Sequence, residues 1–156
     1  MCRVAAIRLR RWGLAVLFVG AAILWVGHTA AAQREERSPE TFKARLSTVP
    51  IDVAMMSTIA GSGSLTAALA GRKLTVTGTF EGLKSPATAA RLHRGPKGIR
   101  GPAIFDLTVT KGTSGAISGS LDLTPAQIED LRNARFYVQL YSEKAPDGNL
   151  WGWLLR

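Results

Sequence analysis

Cysteine is nearly missing from this sequence. The one thiol in 156 residues is Cys2, and a lone cysteine closes no intramolecular disulfide. Stability must therefore come from an ordinary hydrophobic core. Histidine is almost as scarce, with only His28 and His93. That leaves little material for a His/Cys metal cluster or for a serine–histidine or cysteine–histidine relay. There is no Gly-x-Ser-x-Gly elbow, no phosphate-binding loop and no His-Glu-x-x-His helix. Acidic residues are also few, eleven against twenty Lys and Arg, for a formal charge of +9. Asp106, Asp122, Glu129 and Asp130 are scattered over strand ends and a helix, with no sign of a convergent carboxylate pair. The sequence carries no internal repeat. These absences argue against an enzyme and call for no cofactor.

What is present begins with an export signal. Arg3, Arg8, Arg10 and Arg11 precede an uncharged apolar run over residues 12–27, and the small residues Ala30 and Ala32 follow. That order is the signature of a cleavable secretory signal peptide over residues 1–32. The alternative is an uncleaved anchor, although 16 apolar residues fall short of the ~20 that cross a bilayer. Either way the rest of the chain is expected outside the cytoplasm, in the periplasm or beyond it. Without the four leader arginines, sixteen basic residues face eleven acids, a net of +5. A mildly basic chain favours anionic surfaces weakly and specifies no partner.

Residues 33–41 open with a charged, Pro-containing, aperiodic stretch that reads as a linker. A single domain is expected over residues 42–156. Gly61 to Gly63 reads as loop. Leu65, Ala67 and Leu69 alternate with small residues, and Leu74, Val76, Gly78 and Phe80 alternate with threonines. The two runs read as a hairpin turning at residues 70–73, with one face buried. Further strands are expected at 87–93, 103–110, 116–123, 136–142 and 150–155. A short helix is expected where Thr124 caps Pro125 and Ile128 and Leu131 fall three apart. Pro146 to Asn149 reads as a turn. Seven or eight short strands at this spacing make an all-β sandwich or barrel.

Two stretches, FEGLKSPATAARLHRGPKGIRGPAIFDL and SGSLDLTPAQIEDLRNARFYVQLYSEKAPDGNLWGWL, resemble the CHRD domain. That family is named for chordin and occurs in many exported bacterial proteins. The landmarks are Gly82-Leu83, Leu92-His93, Gly101-Pro102 with Phe105 and Leu107, Leu123-Thr124, Leu131, Tyr137-Val138 and Pro146 to Gly148. The resemblance spans roughly Phe42 to Leu155. It implies a Greek-key-like antiparallel β-sandwich and no established activity. In chordin-like proteins such domains accompany binding to extracellular protein ligands. The expectation is an exported, non-catalytic binding or structural module of the cell envelope.

The resemblance also implies where chemistry would lie. The family typically carries His-x-His on the strand before the glycine-rich loop and a third histidine on a later strand. Here those positions are Arg91, His93 and Tyr141. Arginine is a permanent cation and cannot ligate a metal, so no metal site is expected. The alternative remains a copper- or zinc-handling protein, or a vestigial metalloenzyme, centred on His93. Arg91, His93, Tyr141 and Arg94 are then either a hydrogen-bonded polar cluster or a site for an anion or carboxylate beside Lys97 and Arg100. A nucleic-acid partner is not expected, because no aromatic stacking residues interleave with these cations. Trp151 and Trp153, two apart on the last strand, share a face. They pack either into the core or as an exposed aromatic patch.

Overall fold

The computed structural model describes residues 38–50 and 52–156. The leader lies outside the described residues, as does the first part of the linker. No helix among the described residues is long and apolar enough to cross a membrane.

Alternation of apolar and polar side chains builds the strands. They are β1 (Glu40–Thr48), β2 (Ser62–Ala70), β3 (Lys73–Glu81), β4 (Ala87–Arg94), β5 (Ala103–Val109), β6 (Gly115–Asp122), β7 (Phe136–Ser142) and β8 (Ala145–Trp153). The expected hairpin is β2–β3. Its inward residues pair as Leu65↔Gly78, Ala67↔Val76 and Leu69↔Leu74, and its threonines face solvent. All neighbours are antiparallel, in the order β1-β2-β3-β6-β5-β4-β7-β8, and the ends join. The fold is thus all-β, with two sheets that share β1 and β5 and close into a barrel. The run β3-β6-β5-β4 is a Greek key. The inward side chains, among them Phe42, Leu46, Leu74, Val76, Leu92, Phe136, Val138 and Leu150, form one continuous core.

The helix, α1 (Pro125–Arg132), starts as expected. Thr124 accepts from Gln127 N, and the Gln127 side chain accepts in turn from Thr124 N, a capping box. Ile128 and Leu131 plug the end of the barrel. The helix ends in a Schellman motif: Arg135 N donates to Asp130 O at 2.9 Å and Ala134 N to Leu131 O at 3.1 Å. Ala134 takes the left-handed position, with φ 54°.

The first strand starts at Glu40, where β1 pairs with β2 as Glu40↔Leu69. Two expectations need correction. The stretch taken as loop at Gly61 to Gly63 is already strand from Ser62. The turn sits at Glu143 and Lys144, between the pair Ser142↔Ala145. Pro146 to Asn149 instead form a bulge inside β8, since the next pair is Leu140↔Leu150. The bulge survives because other elements hold its backbone: Asp147 O and Asn149 O both accept hydrogen bonds from outside the ladder.

Candidate functional site

Strand β7 is covered on both faces and has no exposed residue. Phe136, Val138 and Leu140 point into the core. Tyr137, Gln139 and Tyr141 point the other way, yet Tyr137 is fully buried and Gln139 nearly so. The cover is the glycine-rich loop after β4, which folds back over the outer face of β4, β7 and β8. Arg94 N and Gly95 N bond Pro102 O and Arg135 O at its base. Gly101 is obligatory here, since a Cβ would lie 1.8 Å from Arg94 O. The β8 bulge seals the other side. Gln139 Nε2 donates to Asp147 O at 2.8 Å, and Gly148, with φ 123°, leaves room for that amide.

His93 sits at the centre. It is 6% exposed, and both ring nitrogens are engaged. Its Nδ1 lies 2.9 Å from Gly101 O, an acceptor, so Nδ1 carries the proton. Nε2 then accepts from the Tyr141 hydroxyl at 2.8 Å. Tyr137 completes the latch: its hydroxyl accepts from Gly101 N at 2.9 Å and donates to Gly101 O at 3.2 Å. The rings stack across three strands. Trp153 lies 4.7 Å from Tyr137, and Tyr137 lies 4.9 Å from His93. Trp151 meets Trp153 edge-on at 4.7 Å, and Trp153 Nε1 donates to Gly95 O.

The electrostatics keep this network neutral. Burial pushes the His93 pKa below its ordinary value, against the Gly101 carbonyl, which favours the proton; Arg91 and Arg100 push it further down. Burial pushes the Tyr141 hydroxyl up, so it stays a donor. A metal ion would need a bare imidazole lone pair, and the Tyr141 hydroxyl occupies it. Among the described residues no group of three or more His, Cys, Asp or Glu is placed to hold a metal ion.

The four residues expected as a cluster are only partly together. Arg91 lies over the Tyr141 ring at 5.4 Å, and its Nε reaches Asp106 Oδ1 at 2.9 Å on an exposed surface. Arg94 points elsewhere, to Asp130 Oδ2 on α1 at 2.6 Å, a carboxylate that Arg135 also approaches. The two arginines therefore do not converge on one anion. Trp151 and Trp153 are half-buried on the outer face, in neither the barrel core nor a freely exposed patch. Sequence reasoning marked Tyr137 and Gly101 only as family landmarks, without a role in the site, and missed Gln139. The available signal was the run of outward positions on β7 without a charge, which is unusual for a strand with a solvated face.

An eight-stranded antiparallel barrel, latched on one outer face by a folded-back glycine loop, is the class these features define. The chain belongs to the CHRD domain family, whose model it matches over residues 42–154. No match was found among curated proteins or among solved structures.

Proposed function

We propose that this chain is an exported CHRD module of the cell envelope that works by binding rather than by catalysis. One observation carries the reading. Among the described residues, the large apolar side chains left exposed are not on the strands. Val53, Met55 and Met56 lie in the segment after β1, Ile99 lies in the glycine loop, and Leu155 follows β8. Loops held on a rigid scaffold are where binding residues concentrate, and exposed apolar groups mark contact surfaces. The imidazole network, by contrast, is turned inward, which suits a structural latch. Family membership supports a binding module, and the residue 1–32 signature supports export.

The test immobilises the domain and exposes it to the secreted and periplasmic fraction. The wild-type domain is expected to retain a partner that Val53→Ser/Met56→Ser/Ile99→Ser loses while keeping the same circular dichroism. Equal retention by both proteins, or by neither, would sink the reading. N-terminal sequencing of the exported chain checks the leader: a start after Ala32 fits export by cleavage, and a start at Met1 or Cys2 excludes it.

A further inference from the structure

A second, smaller apolar cluster lies apart from the barrel core. Val49, Ile59 and Ala145 are buried together, with Trp151 packed against them. They belong to the segment after β1 and to the start of β8, which Val49 N ties together by donating to Asn149 O at 3.0 Å. A pocket opens over this cluster. Its floor is Val49, Ile59 and Ala145, with Met55 on one side.

The rim is cationic. Arg100 from the glycine loop and Lys144 from the β7–β8 turn both line it. Among the described residues neither joins an ion pair. Arg100 Nη1 donates to Asp147 O at 3.1 Å. That bond holds the guanidinium at the rim and leaves the rest of its fork free to donate. Asp147 supplies the lining's one carboxylate, so two cations face one anion.

We propose that this pocket binds a carboxylate carrying a small aliphatic group, the chemistry shared by a short branched acid and by a peptide ending in a free apolar residue. The aliphatic group rests on Val49, Ile59 and Ala145, and the carboxylate is met by Arg100 and Lys144. Charge-assisted bonds to arginine suit such an anion, and an apolar floor with a few polar groups fixes its orientation. The inference rests on the module being a binder and gives that binding a place and a chemistry.

The experiment titrates the isotope-labelled domain with three probes: isovalerate, acetyl-Gly-Leu, and the C-terminal amide of that peptide. The two free acids are expected to shift the amide signals of Ile59, Ala145 and Gly148, and the amide is expected not to. Arg100→Gln/Lys144→Gln should weaken binding by at least about tenfold, as expected for losing charge-assisted bonds. Lys144→Gln alone, on an exposed side chain, serves if the double variant fails to fold. Tighter binding of the peptide points to a protein C-terminus, and tighter binding of isovalerate points to a free acid; either supports the site. Equal binding of the amide, unchanged affinity in the variants, or no shift at these residues overturns it. That failure leaves partner capture, tested separately above, standing.

Discussion

His93 faces two partners with opposite demands, a carbonyl that needs a proton and a hydroxyl that supplies one. Only one neutral tautomer satisfies both, and burial enforces neutrality. Tyr141→Phe keeps the ring and leaves Nε2 as a buried acceptor without a donor. It should cost about 1–3 kcal/mol, read as a lower urea midpoint with an unchanged slope. A second residue-scale effect lies at the end of α1. Ala134 holds a left-handed conformation that L side chains with a Cβ adopt at a penalty. Ala134→Gly should stabilise the domain by about 0.5–1 kcal/mol, measured by the same denaturation. The pairing of His93 with Tyr141 was within reach of the sequence, because alternation fixes which way each side chain points. The role of Tyr137 was not. It depends on a loop returning over β7; the uncharged outward positions of β7 signal that this face is covered, but not what covers it.

The glycine loop and the β8 bulge act together as elements. Gly101→Ala would force a Cβ to within 1.8 Å of Arg94 O, so the loop must move and release Gly101 O from both His93 and Tyr137. The expected result is a loss of about 1–3 kcal/mol and a red shift of tryptophan emission, because Trp153 loses Gly95 O as a partner. An unchanged emission maximum would show that the loop is not the lid of this face. Most elements were readable from two-residue periodicity, as the β2–β3 hairpin shows, and α1 from its cap. The bulge was misread because Pro, Asp, Gly and Asn in sequence carry strong turn chemistry. What overrides it lies outside the segment: Gln139 bonds Asp147 O from the adjacent strand, and over long range Arg100 bonds Asp147 O and Val49 bonds Asn149 O. The first strand went unrecognised as one, because β1 alternates apolar residues with Lys43 and Arg45 just where a charged linker ends.

For the molecule as a whole, acid should weaken the fold in two stages. His93 has a folded pKa below the ordinary 6.5, so the unfolded chain takes up its proton first and stability falls as pH drops below that value. Glu40 is held by Arg132 and Arg156, and its pKa is lowered from 4.5 to about 2. Its contribution is complete above 4.5 and is lost as pH falls from there toward 2. Melting temperature against pH should show both declines; His93→Gln should remove the upper one and Glu40→Gln the lower. Glu40 opens β1 and pairs with the last residue of the chain, and β1 joins β8 through Ser47↔Trp151, Thr48↔Leu150 and the bridge Lys43↔Leu155. The ring of strands is therefore shut by its first and last members, a pairing of large sequence separation that carries a high loop-closure cost. A protease cut or truncation removing residues 38–48 would uncover two rows of unpaired backbone groups at once, on β2 and on β8. Such borders recruit other chains, so the shortened protein should scatter light and sediment as aggregate where the intact domain stays dispersed.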